Sequence, residues 1–499
     1  MVKDVPQYWG RGMLAGLVAL GLVYRDRAAF DEKRPDIHQE SGWPILGNIP
    51  EILKWVPYFH EFGHEAFTRM DQLTGKLSVF VVPAYIATIN PKNVEHILKS
   101  PEFHAALGDL FGNGIFNANG EEWRYQRKTA SLVFNVKNFR DDFTSVFVQE
   151  MDFMSKHILD KAADECQVLD FHDLMYKFTL DSFVLLGFGV HLNAMAQKGK
   201  VQFAEAFDDA QKNTFLRFIN PAHVVSEALT KLFYPNSNSM KDNLKIVDTF
   251  AREVTEKRRE ELASGKEYRD LLSRFMTAKN MNGQDLSNDE LRDIVLNFII
   301  AGRDTTAQAL SWCFHLLCQH PRVERKLYKE VDENITEELL RDAPALFEVI
   351  KNMKYAHAVF YEVLRLYPSV PLNMKYALND DVWPDGTHIR KGDYILWHPF
   401  AQGRSQKVWG EDAREFVPER WITPDGELRR ESQGQWPAFH AGPRVCLGQH
   451  LATLESLIAI SYLMKYYRFS LVPGQNVTYQ VSLTLPMKYG MKVTVEKRA

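Results

Sequence analysis

The stretch Phe439-His440-Ala441-Gly442-Pro443-Arg444-Val445-Cys446-Leu447-Gly448 decides how the rest of the chain is interpreted. Its cysteine follows a turn in which Gly442 can adopt positive φ and Pro443 restricts the backbone. Apolar residues then recur at helical spacing over residues 451–462, which predicts a helix that begins just after Cys446. The dipole of such a helix favours a thiolate at this position.

A buried structural cysteine is the alternative interpretation of this stretch taken alone. The pattern Phe-x-x-Gly-x-Arg-x-Cys-x-Gly is matched in full, however, and it resembles the haem-binding signature of the cytochrome P-450 superfamily, the haem-thiolate monooxygenases. The resemblance implies that the Cys446 thiolate is the proximal ligand of haem b, iron protoporphyrin IX. It also places Phe439, Gly442, Arg444 and Gly448 in the cofactor site.

Composition indicates one large catalytic domain behind a short N-terminal appendage. The chain has 499 residues, is 45% hydrophobic and contains no repeat or low-complexity segment. Its net charge of −4 gives no reason to expect nucleic acid as a partner. The four cysteines, at positions 166, 313, 318 and 446, include no Cys-x-x-Cys pair, which favours a reducing compartment.

The N-terminus predicts a membrane anchor within residues 1–27. Residues 12–24 form an uncharged apolar run between aromatic and arginine residues, about 20 Å long as a helix against a hydrocarbon core of about 30 Å. A cleaved signal peptide and an interfacial helix are the alternatives, and the cysteine usage argues against secretion. Residues 28–50 are predicted as a linker whose end resembles the proline-rich hinge of microsomal members, and residues 51–499 as the catalytic domain. The resemblance implies the endoplasmic reticulum membrane, with the catalytic domain facing the cytosol.

Two further stretches supply candidate ligands for the haem propionates. Residues 121–128 are predicted to be helical, with Trp123 and Arg127 one turn apart on one face. Sequence alone favours an exposed basic helix here, whereas the resemblance implies the helix that holds the propionates and, nearby, a basic surface that docks an NADPH-cytochrome reductase. Lys375 stands where many members carry Arg or His, and it keeps the charge without the bidentate fork.

A long central helix carries the candidate catalytic residues. Ser287 and Glu290 form a capping box, and the apolar pattern continues to His320, which predicts a helix about 50 Å long. Within it, Ala301-Gly302-Arg303-Asp304-Thr305-Thr306 resembles the superfamily motif in which the Asp-Thr pair relays protons on the oxygen-activating face. A buried threonine that bonds back to the preceding turn and distorts the helix is the other interpretation, and both can hold. Asp304 and Thr305 are therefore the predicted catalytic residues.

Scaffolding motifs complete the resemblance. Glu362 and Arg365 lie on one helix face and, with Arg420 of a later Pro-Glu-Arg segment, resemble the buried charge network of the superfamily. Two β-rich runs over residues 76–89 predict a hairpin, and residues 482–485 a turn that reaches into the substrate pocket. The fold class that follows is mainly α with a small β-rich region, the cytochrome P-450 fold.

The substrate prediction rests on three stretches. Residues 127–131, 298–307 and 366–371 resemble the fatty-acid ω-hydroxylase branch of the superfamily. The sequence therefore predicts a membrane-associated monooxygenase that hydroxylates a fatty acid, using O2 and electrons from an NADPH reductase. A sterol, an alkane or another lipophile is the alternative substrate. A haem-thiolate isomerase or a haem sensor is the alternative class, and the presence of both Asp304 and Thr305 argues against it.

Overall fold

The computed structural model describes residues 16, 18–79, 85–100, 103–104, 108–219, 223–234, 238–265, 268, 270–280 and 283–498. Within these ranges the chain is mainly helical and carries small sheets, so the predicted fold class is confirmed. A large core cluster runs through the helical part, and a smaller apolar cluster fills the space beside the main sheet.

The described ranges contain the following helices. In chain order they are α1 (Ile49–Trp55), α2 (Phe59–Met70), α3 (Pro91–Lys99), α4 (Gly108–Phe111), α5 (Gly120–Ser131), α6 (Val136–Asn138), α7 (Thr144–Met154), α8 (Asp160–Asp164), α9 (Phe171–Phe188), α10 (Gln202–Ile219), α11 (His223–Phe233), α12 (Met240–Ala263), α13 (Leu271–Thr277), α14 (Asn288–Ile299), α15 (Thr305–Gln319), α16 (Pro321–Asn334), α17 (Glu337–Leu340), α18 (Ala343–Asn352), α19 (Lys354–Leu366), α20 (Pro399–Arg404), α21 (Gln406–Trp409) and α22 (Gln449–Tyr466). Turns of π-helix occupy Phe139–Phe143, Ser155–Leu159 and Ile300–Asp304, and 3-10 turns occupy Val56–Tyr58, Ala194–Ala196, Pro418–Trp421 and Gly442–Arg444.

Three small sheets are formed by β1 (Thr74–Leu77), β2 (Tyr85–Thr88), β3 (Phe103–His104), β4 (Leu169–Asp170), β5 (Asn373–Ala377), β6 (Asp381–Val382), β7 (His388–Ile389), β8 (Tyr394–Trp397), β9 (Tyr467–Leu471) and β10 (Lys492–Lys497). Their strand orders are β1-β2-β8-β5-β3, β4-β10-β9 and β6-β7. The predicted hairpin is confirmed, because β1 and β2 pair antiparallel with Thr74 opposite Thr88. Its turn at residues 80–84 lies outside the described residues.

The long central helix is present as predicted, with one local distortion. Ser287 accepts from the Glu290 N–H and the Glu290 side chain accepts from the Ser287 N–H, so the capping box opens α14. The run continues through the π turn Ile300–Asp304 into α15, where every residue from Thr306 to Leu317 is buried. Because α15 is buried on all sides, it forms the axis of the domain.

Residues 28–50, predicted as a linker, pack on the first sheet. Ala28 is buried and its N–H donates to Ser78 Oγ at 2.9 Å. Lys76 Nζ of β1 lies 2.6 Å from Asp31 Oδ1, and both side chains are buried. Most of the predicted anchor lies outside the described residues. Within its described part, residues 18–23 are helical. Among the described residues, no helix combines the length and the apolar character that crossing a bilayer requires.

Candidate functional site

The loop before α22 holds Cys446 in a fixed place. The Cys446 N–H donates to Phe439 O at 2.8 Å and closes the turn that the 3-10 segment Gly442–Arg444 begins. Gly442 has a φ of +61°, and a Cβ there would lie 2.7 Å from Leu98 O. Only glycine therefore allows this turn to pack on the end of α3. The predicted helix follows as α22, whose first residue is Gln449.

The Cys446 sulfur has two groups that favour its anion and one condition that opposes it. Burial raises the pKa of Cys446. A hydrogen bond from the Gly448 N–H to the sulfur and the charge of Arg127 act in the opposite direction and lower that pKa. The side chain nevertheless has substantial accessible surface, so the sulfur faces an internal space. A soft metal cation would bind this sulfur as the thiolate, because a cysteine that ligates a metal loses its proton when it binds.

Three cations gather beside this cysteine. Burial lowers the pKa of Arg127 and of Arg444, and burial together with the charge of Arg444 lowers the pKa of Lys375 to about 8. The Arg444 and Arg127 guanidinium carbons lie 4.7 Å and 5.7 Å from the centre of the Trp123 ring. In the described part of the chain, no carboxylate contributes to the pKa of any of the three. Such a cluster is stabilised by an anionic ligand.

Arg444 and Lys375 are held in place by the polypeptide around them. Arg444 Nη2 donates to Ala118 O at 2.7 Å and to Asn119 Oδ1 at 3.0 Å, at the start of α5. Lys375 on β5 lies 5.6 Å from the Trp397 ring centre. A thiol beside half-buried cations that lack an anion fits haem b, which carries one iron and two carboxylates. The residues present therefore fit the cofactor that the sequence predicts.

The second group of predicted site residues lies on the distorted part of the central helix. Thr305 Oγ1 donates to Ala301 O at 2.8 Å across the π turn. Gly302 is buried, and a Cβ on it would lie 1.9 Å from the Phe183 ring, so this glycine allows α9 to approach closely. Ala301 and Thr305 are partly exposed although their neighbours are buried, which turns both residues toward an internal space.

Asp304 lies behind Thr305 in a polar network. Gln211 Nε2 of α10 donates to Asp304 Oδ2 at 2.6 Å, and Arg303 Nη1 donates to Oδ1 at 3.0 Å. Arg303 also binds Asp208 of α10 through Nη1 at 2.8 Å and Nη2 at 3.3 Å. Burial raises the pKa of Asp304 to about 7, despite the opposing charge of Arg303. Asp304 can therefore exchange a proton near neutral pH.

The helices next to the Cys446 loop and the Thr305 turn pack against each other. α15 packs against α22, and Thr306 of α15 donates to Glu455 of α22. Ser182 of α9 donates to the same carboxylate at 2.6 Å. Burial raises the pKa of Glu455 to about 8, so this side chain is largely protonated at neutral pH. The Cys446 loop and the Thr305 turn are thus attached to two helices, α22 and α15, that are packed and hydrogen-bonded to each other.

The structure groups the residues predicted from sequence in two sets. Cys446, Arg127, Arg444, Lys375 and Trp123 form one, joined by the contacts and charge effects given above. Phe439 and Gly448 support that set through their backbones, and Gly442 through its turn. Asp304 and Thr305 form the other set on the central helix.

Four residues that take part in these networks were not among the residues predicted from sequence. His440, inside the quoted stretch, bonds Asn373 Oδ1 through Nε2 at 3.0 Å, and burial with the charge of Lys375 lowers its pKa to about 4. A histidine beside the cysteine loop was a usable signal, and so was Arg303 within an apolar helix. Gln211 and Asp208 lie in an unremarkable amphipathic helix, and nothing in their local sequence marks them.

Known proteins match almost the whole chain. The family model described as Cytochrome P450 matches residues 37–491. Cytochrome P450 704B1 of Arabidopsis thaliana is 34% identical over 92% of this chain and 94% of its own length. Cytochrome P450 86B1 of Arabidopsis thaliana is 37% identical over 92% of this chain and 85% of its own length. Cytochrome P450 monooxygenase cyp1 of Mycosarcoma maydis is 33% identical over 98% of this chain and 79% of its own length. The resemblance seen in the motifs therefore extends across the domain.

Proposed function

This chain belongs to the cytochrome P450 family of haem-thiolate monooxygenases, and we propose that it hydroxylates a fatty acid at or near the terminal carbon. The bound haem supplies oxygen activation. Cys446 would hold the iron, and Arg127, Arg444, Lys375 and Trp123 would hold the propionates. The observation that carries the cofactor assignment is the group of half-buried cations beside an accessible thiol, because none of these cations has a carboxylate partner in the described chain.

Thr305 and Asp304 manage protons in this proposal. Thr305 presents its hydroxyl at the internal space, and its bond to Ala301 O sets the orientation of that hydroxyl. Asp304 exchanges protons near pH 7 and is held one residue away by Gln211 and Arg303. A positioned proton donor of this kind contributes about 10²- to 10⁴-fold to a rate.

Thr305→Val is expected to separate electron use from product formation. Valine has nearly the size of threonine but cannot donate a proton, so NADPH consumption continues while product per NADPH falls at least fivefold and peroxide rises. Thr306→Val is the matched control, since Thr306 is buried and donates to Glu455. We expect that variant to lose stability and keep its coupling. Equal coupling in the Thr305 variant and the wild type would contradict the assignment.

The substrate class is supported by the three stretches that resemble the fatty-acid ω-hydroxylase branch. Two of them meet in the structure, because Ser369 Oγ, in the stretch 366–371, donates to Thr305 O, in the stretch 298–307, at 2.8 Å. The third, at residues 127–131, continues α5 beyond Arg127. Two of the three stretches therefore meet at Thr305, and the third begins at Arg127.

Fatty acids of graded length test this substrate class. We expect saturated acids of 10 to 18 carbons to shift the haem Soret band of the full chain, with tightest binding at one intermediate length. Turnover with NADPH and a reductase should give terminal or near-terminal hydroxy acids. An unchanged spectrum with every acid, together with a shift on addition of a sterol or an alkane of equal length, would replace the fatty acid by that alternative.

The redox partner that we propose is an NADPH-cytochrome P450 reductase, docked beside α5. Lys128 and Lys137 are exposed there, and Leu132 and Val136 between them are 55% and 69% exposed. A basic rim around exposed apolar side chains suits an acidic protein partner. Arg124 and Arg140 contribute less charge, because each pairs with a neighbouring carboxylate, Glu121 and Asp141.

We also propose that residues 1–27 anchor the protein in the endoplasmic reticulum membrane, with residues 28–50 as the lead-in and 51–499 as the cytosolic catalytic domain. Leu232, Phe233 and Tyr234, at the end of α11, are 72%, 71% and 68% exposed. Three consecutive exposed apolar or aromatic side chains suit contact with a lipid surface.

A further inference from the structure

Gln308 lies in the interior of α15, and its side chain bonds only to groups outside its own helix. Nε2 donates to Tyr176 Oη at 2.7 Å and to Thr484 Oγ1 at 2.8 Å, while Oε1 accepts from the Leu485 N–H at 2.8 Å. The side chain is completely buried. A buried amide is costly without partners, and this one has a partner for three of its four hydrogen-bonding positions.

Two of these partners, Thr484 and Leu485, belong to a hairpin that packs on the central helix, and the third, Tyr176, belongs to α9. Tyr479 and Met487 form an antiparallel bridge, and the Gln480 N–H donates to Pro486 O at 2.7 Å. Trp312 Nε1 donates to Leu485 O at 2.9 Å. Gln308 and Trp312 are four residues apart and share a helix face. Together they bind both the N–H and the carbonyl of Leu485, which we call the Leu485 clamp.

In the turn that this clamp holds, one side chain is more exposed than its neighbours. Ser482, Thr484 and Leu485 are buried, whereas Leu483 between them is partly exposed. Thr305 is partly exposed in the same way among buried neighbours on the helix. Gln308 connects the two positions: it lies three residues after Thr305, within about 6 Å between Cβ atoms, and bonds the residues that follow Leu483. Gln308 therefore ties the turn that carries Leu483 to the helical turn that carries Thr305.

We propose that Gln308 is a positioning residue that fixes the distance between Leu483 and Thr305 and thereby selects the carbon that is hydroxylated. The inference rests on the function proposed above. A hydrocarbon chain offers no polar group near its end, so its depth is set by the apolar side chains that it meets. A misplacement of about 1 Å can cost about 10²-fold in rate, so a turn that moves by this distance changes which carbon reacts.

Gln308→Leu tests the proposal on product distribution. Leucine has a similar volume and leaves Tyr176, Thr484 and the Leu485 N–H without their partner. With dodecanoic and tetradecanoic acids we expect the ratio of terminal to subterminal hydroxylation to change at least threefold, with an unchanged reduced-CO spectrum. Thr484→Val removes one of the three bonds and should change the ratio in the same direction by less.

Gln402→Leu is the matched control. Gln402 is equally buried and donates to Gly434 O at 2.6 Å, away from the hairpin. We expect it to keep the wild-type product ratio. A wild-type ratio in both Gln308→Leu and Thr484→Val, with haem bound, overturns the proposal, and so does a change in Gln402→Leu as large as in Gln308→Leu.

Amide hydrogen exchange separates this proposal from the substrate class. In the haem-loaded full chain without substrate, we expect the segment 479–487 to exchange at least tenfold faster in Gln308→Leu, because the Leu485 N–H has lost its acceptor. This measurement stands even if fatty acids are not substrates. Unchanged exchange in both Gln308→Leu and Thr484→Val rejects the clamp. Should Gln308→Leu not retain haem, Thr484→Val alone decides, with faster exchange supporting the clamp.

Discussion

Cys446→Ala yields a protein that has lost the haem-thiolate spectrum. Alanine removes the sulfur whose anion the Gly448 N–H and the charge of Arg127 stabilise against the effect of burial, and no other cysteine of the chain can replace it. Cys313 is buried, and burial raises the pKa of its thiol far above the usual range. Cys318 donates to Phe469 O at 3.3 Å in another part of the core. We expect the reduced-CO band of a thiolate complex to disappear and hydroxylation to fall by at least 10³-fold.

Cys166→Ala is the control for this loss. Cys166 is exposed on a turn after α8, and its removal should leave both the spectrum and the activity unchanged. The Cys446 variant should remain folded, because the bond from the residue 446 N–H to Phe439 O that closes the turn belongs to the backbone and does not need the sulfur. A reduced-CO spectrum that is the same in Cys446→Ala and in the wild type would remove the assignment of the ligand.

Local pattern was sufficient for the features that local chemistry determines. The capping box at Ser287 and the pairing of Trp123 with Arg127 depend on residues three or four apart, and both are found as predicted. The turn before Cys446 needs positive φ at Gly442, which the sequence also indicates. The back-bond from Thr305 to Ala301 belongs to the same group. Each feature is contained within one or two turns of chain.

Contacts between distant segments could not be predicted in the same way. Gln211 reaches Asp304 across 93 positions, and Thr484 reaches Gln308 across 176. Neither side chain differs from an ordinary polar residue until the helices are packed. Gly302 lies beneath the Phe183 ring, which belongs to a helix more than a hundred positions earlier in the chain. Packing between helices decides such roles, and one sequence carries no direct record of it.

Glu362 is expected to be the side chain whose removal most damages the fold. Its carboxylate accepts from Arg365 Nε at 2.8 Å and Nη2 at 2.7 Å, from the Val417 N–H at 2.9 Å and from Trp421 Nε1 at 2.9 Å. Arg420 Nε lies 3.6 Å from the same group. Both Glu362 and Arg365 are buried, so the interaction that appears in sequence as a simple i,i+3 pair forms the centre of a network.

Glu362→Leu leaves the buried Arg365 guanidinium without its carboxylate partner and the Trp421 indole N–H without its acceptor. Breaking a buried ion pair from one side costs about 3–5 kcal/mol, which is a large part of the 5–15 kcal/mol that stabilises a typical domain. We expect the free energy of unfolding, followed by ellipticity in urea, to fall by about that amount, and most of the expressed protein to lack haem.

The exposed pair Glu95 and Lys99, four residues apart on α3, provides the comparison. Glu95→Leu should change the free energy of unfolding by about 1 kcal/mol or less, because water screens an exposed pair. Glu362→Gln keeps the shape and one acceptor oxygen but loses the charge, so its cost should lie between the two. Equal stability of Glu362→Leu and Glu95→Leu would show that the network is dispensable. The expected order instead follows from burial alone, since the two glutamates carry the same charge and differ in access to water.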